Sequence, residues 1–395
     1  MSRRDLYDIV VVGAGVVGAT AALACARDGL RVALVEARPP APWRAEAPDL
    51  RVYAFAPDNA ALLDDLGVWR GVRESRAQPY RSMRVWDAGG GTPLAFDADA
   101  FARRELGWIV ENALLVDRLW HALAPAGVDL HCPDRVAMLE QDATHATLQL
   151  ESGLRVHARL VLAADGGDSQ LRGLAGIETV TRDAGQSGLV AFVDHAHPHG
   201  DTCWQRFLPT GPLAFLPFAG HGGRRSSIVW TLPESEALRL RDVDESAFLN
   251  ELERAFDGPP GPVQAVSKRV AFPLKRQLAE ACVAGRVALL GDAAHVVHPL
   301  AGQGVNLGLR DVSSLRASLR GATRRGLEIG SASRLARWAR TRRSENALAA
   351  HAFDGLNRVF SNEALVPTLL RGPAMGLVGR FPPITHALWR RAAGL

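Results

Sequence analysis

The sequence predicts an α/β protein: a Rossmann-type nucleotide-binding domain built from separated stretches of the chain, a mostly antiparallel β-sheet domain, and a helical C-terminal region. Three observations carry that expectation. Asp8–Gly18 (DIVVVGAGVVG) puts an apolar strand directly before a Gly-x-Gly-x-x-Gly turn, and Glu36 closes the next strand, VALVE, about twenty residues on. Near the other end, the apolar run Arg286–Leu290 leads into Gly291–Asp311 (GDAAHVVHPLAGQGVNLGLRD), which orders a strand, an acidic strand end, a Gly-rich loop and a helix start. Between them, residues 186–270 are strand-rich and broken by Gly and Pro clusters.

Taken in order, residues 8–36 read as strand, helix, strand, with Ala19, Ala21, Ala22 and Ala24 letting the helix sit close to a sheet. Arg51–Val68 holds an extended piece and a helix, and RSMRVWDAGGGTPLAF, after Pro79, alternates like a hairpin. Glu111–Leu123 has helical spacing, and residues 135–163 form three strands, the last ending at Asp165-Gly166. A helix over Glu245–Phe256 interrupts the later sheet, and beyond residue 303 the chain is largely helical except at Pro373 and Pro382-Pro383. The expected nucleotide-binding domain therefore comprises 1–78, 108–185 and 271–320, the sheet domain 79–107 and 186–270, and the helical region 321–395.

Composition excludes several classes. With 395 residues, 47% of them hydrophobic, the chain can bury two domain cores. A net charge of only +4, without aromatic residues interleaved among basic ones, argues against nucleic acid. Cys25, Cys132, Cys203 and Cys282 are scattered, which fits neither zinc nor a disulfide framework and points to a reducing cytoplasm. The polar residues 2–7 and the glycines that interrupt the next apolar run predict neither a signal peptide nor a spanning helix. Arg316–Arg343 is rich in arginine; it reads first as a solvated helical face, and second as a docking surface for a partner or for anionic lipid.

The motifs specify a cofactor. Gly13 permits the tight turn, Gly15 lets the backbone approach a pyrophosphate, and Gly18 lets the helix pack on its strand. Glu36 is placed to accept hydrogen bonds from ribose hydroxyls, its plainer reading being a surface carboxylate beside Arg38. An Asp-Gly after a strand, as at Asp165-Gly166, is by itself usually a turn, but beside the other motifs it becomes a site candidate. Asp292, at the end of RVALLGD, can accept from ribityl or ribose hydroxyls. Dinucleotide-shaped motifs at both ends of one chain imply a single cofactor lying across both, FAD rather than NAD. Reduced flavin carries negative charge near N1 and the C2 carbonyl, and the backbone N–H groups of Gly304, Val305 and Asn306 at a helix start would stabilise it. Gly302 and Gly304 let that backbone come close. His295 and His298 are spaced for a metal only on a helix, and Pro299 makes His298 extended. No metal is expected, and a structural role for each histidine stands ahead of proton relay.

These residues resemble the class A flavoprotein aromatic hydroxylases, and within them the ubiquinone-biosynthesis ring hydroxylases. The signature His-Pro-x-Ala/Gly-Gly-Gln-Gly-x-Asn-x-Gly-x-x-Asp is matched without a gap over fourteen residues, His298–Asp311. LRVYAF around Arg51, WIVEN ending at Asn112, PLAFLPF, SSIVW, FPL at Phe272, FDGLNRVFSNE and the Pro-Pro-containing end are similar too, so the likeness spans the chain. It implies that Gly13, Gly15, Gly18 and Glu36 hold the ADP half of FAD, and that Arg51 and Asn112 lie along the pyrophosphate and ribityl chain. Asp165 and Gly166 would serve both FAD and the passing nicotinamide donor, and Asp292 with Gly302, Gln303, Gly304, Val305 and Asn306 would hold the ribityl and isoalloxazine parts. It further implies that NAD(P)H reduces FAD, that O2 adds to the flavin at C4a, and that the distal oxygen passes to an electron-rich ring.

The implied substrate is a polyprenylated phenol or benzoquinol in ubiquinone biosynthesis. The walls expected for its cavity are Phe192, Trp204, Phe207, Phe215, Phe218 and Trp230, half of which strand alternation would send to the core. The only tyrosines, Tyr7, Tyr53 and Tyr80, lie outside 186–270, so no tyrosine of that sheet deprotonates the substrate, and no catalytic residue is assigned. Two alternatives stand: a hydroxylase of a small aromatic acid, whose carboxylate Arg206, Arg224 or Arg225 would hold, and a non-catalytic flavin-binding subunit. The tail ALVPTLLRGPAMGLVGRFPP and the arginine-rich stretch are candidates for docking to a quinone-biosynthesis complex or to the inner face of a membrane, with a cytoplasmic location otherwise.

Overall fold

The computed structural model describes residues 6–90, 92–297 and 304–343, with 385–386, 389–390 and 393–394. The first βαβ unit is β1 (Leu6–Val12), α1 (Val16–Arg27) and β2 (Val32–Val35). Then come β3 (Val52–Phe55), α2 (Pro57–Asp65), α3 (Trp69–Arg76), β4 (Gln78–Tyr80), β5 (Ser82–Asp87), β6 (Leu94–Asp97), β7 (Gly107–Glu111) and α4 (Asn112–Leu123). β8 (Asp129–His131), β9 (Val136–Gln141), β10 (Ala146–Leu150), β11 (Arg155–Ala163) and α5 (Gln170–Leu174) precede the long β12 (Thr179–His195). It is followed by β13 (Thr202–Leu208), β14 (Gly211–Pro217), β15 (Arg225–Pro233), α6 (Glu234–Asp242), α7 (Glu245–Phe256) and β16 (Val263–Val266). The described core ends with β17 (Val270–Ala279), β18 (Val283–Ala284), β19 (Val287–Leu289), β20 (His295–Val296) and α8 (Gly304–Thr323).

Local chemistry explains the boundaries. Pro57 opens α2, where a missing N–H costs nothing. Asp244 caps α7 by accepting from the Ala247 N–H at 2.8 Å. Ala19, Ala21, Ala22 and Ala24 of α1 are buried, and a Cβ on Gly18 would overlap the carbonyl of Gly13, so the helix rests directly on the turn before it.

Three sheets result. The first has eight strands: β1 lies between β2 and β11, β8 and β19 extend it on either side, and all these contacts are parallel. β18 adds to β19, and β9 and β10 form an antiparallel meander on β11. α1, α4 and α8 share one apolar core with one face of this sheet, and the meander covers the other. The second sheet runs β20-β17-β12-β15-β14-β13-β5-β6, with β16 also on β12, and is antiparallel except where β13 meets β5. α6 and α7 cover one of its faces. β3, β7 and β4 form a small third sheet that packs on part of the other face through Val52, Ile109, Phe192 and Leu216.

Two features depart from the sequence reading. β17 was expected in the nucleotide-binding part, yet it pairs with β12 over most of its length, because its row Val270, Phe272, Leu274 completes an apolar face. The helix α6 was not anticipated; its short amphipathic turn follows β15 without a break and buries only Ala237 and Leu240. Of the expected C-terminal helical region, residues 332–343 are helical, while 344–384 lie outside the described residues.

Candidate functional site

Parallel pairing sets where the chemistry gathers. Val12 is level with Val35 on one side and Ala163 on the other, and Ala163 is level with Leu289. The residues that follow, Gly13, Glu36, Asp165 and Asp292, therefore emerge at one edge, the carboxyl end of the parallel strands. A cleft of about 1150 Å³ opens there, lined by Gly13, Gly15, Glu36, Arg51, Asn112, Asp165, Gly166, Asp292, Gly304 and Val305, among others. That exceeds the roughly 300–1,000 Å³ of a drug-sized ligand site.

The glycine turn is built for a close approach. Gly13 has φ +95°, and a Cβ there would overlap the Ala164 carbonyl. At Gly15, by contrast, a Cβ meets nothing within 4 Å, because it points into the cleft. α1 begins at this point without a side-chain cap, so its first N–H groups face the cleft ready for an anion. Glu36 braces the turn, accepting from Ala14 N–H at 2.7 Å and Arg38 N–H at 3.1 Å.

A second wall comes from β3 and the start of α4. The Tyr53 hydroxyl donates to Asn112 Oδ1 at 3.1 Å, and Asp49 accepts from Asn112 Nδ2 at 3.5 Å and from the N–H groups of Arg51 at 2.9 Å and Ala113 at 3.0 Å. Behind them the buried Glu111 accepts from Asp49 N–H at 2.8 Å and Arg76 Nε at 2.7 Å. Tyr53 also lines the cleft, a position with no signal in the sequence beyond its place in LRVYAF. Burial pushes its hydroxyl up to about 12, helped by Asp292 and Asp49 and opposed by Arg51, so it is a hydrogen-bond donor and not a base at neutral pH.

Other expected residues do different work. Asp165 caps the turn into α5, accepting from Ser169 Oγ at 2.5 Å and Leu171 N–H at 3.1 Å. Asn306 is buried and turned from the cleft: its Oδ1 accepts from Ala56 N–H at 3.0 Å and its Nδ2 donates to Ala54 O at 2.8 Å, pinning α8 to β3. Asp292 accepts no hydrogen bond among the described residues, and its Oδ1 stands 4.0 Å from where a Gly304 Cβ would be. His298, Gly302 and Gln303 lie outside the described residues.

His295 is buried, away from the cleft lining, with Nε2 2.7 Å from Asp311 Oδ2; Asp311 Oδ1 in turn receives Arg342 Nε at 2.7 Å. Burial works against the imidazolium, but Asp311 and Asp292 outweigh it and raise His295 above its ordinary value. This is a structural ion network. Among the described residues, no group of three or more metal-ligating side chains gathers. Part of the arginine-rich stretch is likewise structural, since Arg316 pairs with Asp28 at 2.8 Å and Asp65 at 2.5 Å.

The nine-stranded sheet closes the cleft with Val190, Leu216, Val229, Val270, Phe272, Pro273, Leu274 and Lys275. None of the six aromatic residues expected as walls is in that lining. Trp204, Phe215 and Trp230 point to the opposite face, against α7, while Phe192 and Phe218 are covered by the three-stranded sheet and Phe207 packs on Val85. Arg206 donates to the carbonyls of Ala255 and Phe256 on that opposite face, and Arg225 binds Asp194 through two 2.7 Å bonds. Neither they nor Arg224 reaches the cleft.

Comparison with known proteins agrees with this architecture. The family described as FAD binding domain matches residues 6–344. The ubiquinone hydroxylase UbiL of Rhodospirillum rubrum is 38% identical, over 100% of this chain and 91% of its own. The 3-demethoxyubiquinol 3-hydroxylase of Escherichia coli is 36% identical over 90% of each chain. Human mitochondrial ubiquinone biosynthesis monooxygenase COQ6 is 32% identical, over 94% of this chain and 89% of its own. Among solved structures, p-nitrophenol 4-monooxygenase PnpA from Pseudomonas putida superposes with TM-score 0.79 at 19% identity, covering 98% of both chains; at that identity the likeness concerns the fold alone.

Proposed function

The chain belongs to the FAD binding domain family, among the flavin-dependent ring hydroxylases of ubiquinone biosynthesis, and from that premise we propose that it hydroxylates the ring of a polyprenylated phenol or benzoquinol. The observation that carries the substrate class is the wall of the cleft. The nine-stranded sheet presents six aliphatic side chains, Val296 of β20 included, with Phe272 and Pro273 to it, and the exposed Lys275 is its one cation there among the described residues. A small aromatic acid would need a buried partner for its carboxylate, and Arg206, Arg224 and Arg225 are all elsewhere.

The residues present fit FAD: the uncapped start of α1 and the open Cβ direction at Gly15 suit a pyrophosphate, and the cleft continues past Asn112 and Asp292 to the start of α8. When bound, FAD supplies the redox chemistry, taking hydride from NAD(P)H and activating O2 for ring hydroxylation. In this reading Gly13 and Gly18 shape the turn, Gly15 admits the pyrophosphate, Glu36 meets the adenosine ribose, and Arg51 and Asn112 hold the central linkage. Asp165 and Gly166 shape the adjoining edge. Asp292 accepts from the ribityl hydroxyls, and Gly302, Gln303, Gly304 and Val305 bring backbone N–H groups to the electron-rich side of the ring, with Asn306 anchoring that helix start. The eight-stranded sheet then serves as cofactor domain and the nine-stranded sheet as substrate domain. The apolar wall excludes water, and no carboxylate or histidine of the nine-stranded sheet lines the cleft among the described residues, so the substrate ring must already be electron-rich.

Asp292→Ala should lower FAD affinity on the order of tenfold, the loss of one or two hydrogen bonds to a charged acceptor; equilibrium dialysis showing unchanged affinity removes Asp292 from the site. The substrate is tested by deleting the gene and analysing quinones by mass spectrometry. A prenylated precursor lacking one ring hydroxyl is expected, whereas an unchanged quinone pool in a host without a second hydroxylase overturns the reading. No helix among the described residues is long and apolar enough to cross a membrane. The proposal includes peripheral contact with an anionic bilayer through the exposed Arg324, Arg325, Arg337 and Arg343; equal flotation of the protein with neutral and anionic vesicles would remove that part.

A further inference from the structure

β17 carries two large apolar residues that are both exposed and part of the cleft: Val270 is 36% and Phe272 37% exposed. They share a face with Leu274, so three apolar side chains at alternate positions run from the cleft to solvent along about 14 Å of strand. Across the pair, Gly188 of β12 stands opposite Phe272, and Val190 opposite Val270. The tip of the Phe272 ring rests against Gly188: a Cβ on that glycine would be 2.9 Å from Cζ, 3.1 Å from Cε2 and 3.4 Å from Leu274 Cδ2. Glycine inside a strand often marks such a close approach, and here it lets the ring tip reach the backbone of the neighbouring strand.

An apolar row that continues a ligand cleft to the surface remains hydrated unless something covers it. Polar ligands gain nothing from it. A long hydrocarbon chain attached to a ring inside the cleft would lie along it, with Val190 and Val229 on the facing strands and without a charge to desolvate. Resting on the substrate class proposed above, we propose that Phe272, seated over Gly188, is a specificity-determining residue for chain length, forming with Val270 and Leu274 the bed on which the substrate's hydrocarbon tail leaves the cleft.

The competing account is that Phe272 merely covers the backbone at Gly188, a cross-strand packing device. Binding measurements separate the two. The holoenzyme is titrated, in detergent micelles, with two phenols of identical ring, one bearing a long polyisoprenyl chain and one a single isoprenyl unit, and the flavin absorbance change is followed. The wild type should bind the long-chain phenol more tightly. Phe272→Ala and Gly188→Ala should each weaken that binding on the order of tenfold, the equivalent of one or two buried methylenes, and weaken short-chain binding by less, with FAD content as in the wild type. Because a Cβ at position 188 acts by lifting the ring, adding Gly188→Ala to Phe272→Ala should change nothing further. Should Gly188→Ala fail to fold, Phe272→Ala still carries the test. A wild type indifferent to chain length, or variants that shift both phenols alike or neither, would overturn the assignment. Failure of the functional reading is seen separately, as absence of hydroxylated product from the long-chain phenol with NAD(P)H and O2.

Discussion

Gly15→Val is expected to yield a folded, colourless protein. The position has φ −67° and ψ −174°, which valine adopts readily, and a Cβ there meets no atom within 4 Å, so the apo protein should melt at the wild-type temperature. What the substituent fills is the space in front of the first N–H groups of α1. Two charge-assisted hydrogen bonds to a pyrophosphate, at about 1.5–3 kcal/mol each, correspond to on the order of a hundredfold or more in FAD affinity. Gly13→Ala and Gly18→Ala make the contrast. The first puts a side chain at φ +95° against the Ala164 carbonyl and the second drives one into the Gly13 carbonyl, so both should lower the melting temperature before any cofactor is considered. Calorimetry of the apo proteins and flavin content of the purified ones measure the two effects. Yellow Gly15→Val protein with full occupancy would sink the assignment of this turn to FAD.

The contrast also shows what the sequence could carry. Gly13, Gly15, Gly18 and Glu36 were legible because turn, helix start and strand end lie within one short local unit, and parallel register then carries Asp165 and Asp292 to the same edge without further information. The substrate wall was not legible. Strand alternation divides β12, β14 and β15 into two faces, but both are apolar, since α6 and α7 cover one and the cleft and the small sheet meet the other. Which face meets which partner is decided by packing far along the chain. Trp204, Phe215 and Trp230 went to the helices, Phe192 and Phe218 to the small sheet, and Val190, Leu216 and Val229 to the cleft. Asn306 has a second role that its motif position does not show: its side chain binds Ala54 and Ala56 some 250 residues earlier.

Asp311→Ala should be the most destabilising single change near the site. Asp311 is 1% exposed and accepts from His295 Nε2 at 2.7 Å, Arg342 Nε at 2.7 Å and Gly291 N–H at 3.0 Å. Removing the carboxylate breaks its buried pairs with His295 and Arg342, a loss of about 3–5 kcal/mol for a broken buried pair. Because Gly291 precedes Asp292, FAD retention should fall with it, and a variant as stable as the wild type would show that the network is not ionic. The pH dependence supplies the sign. Burial alone would raise Asp311, but His295 and Arg342 hold it below its ordinary value, so its contribution is present above the unfolded carboxylate value near pH 3.9 and is lost as the pH falls through the lowered one. His295 is raised, so its contribution is complete below the unfolded value near pH 6.5 and is lost as the pH rises through the folded one. In Asp311→Asn the imidazole loses the larger of the two groups that hold its proton, and burial then opposes Asp292 alone. The difference in melting temperature between wild type and Asp311→Asn should therefore be largest between about pH 4 and 6.5 and shrink above it. A gap constant from pH 5 to 9 would mean that His295 is neutral throughout, and that Arg342 alone answers the buried carboxylate.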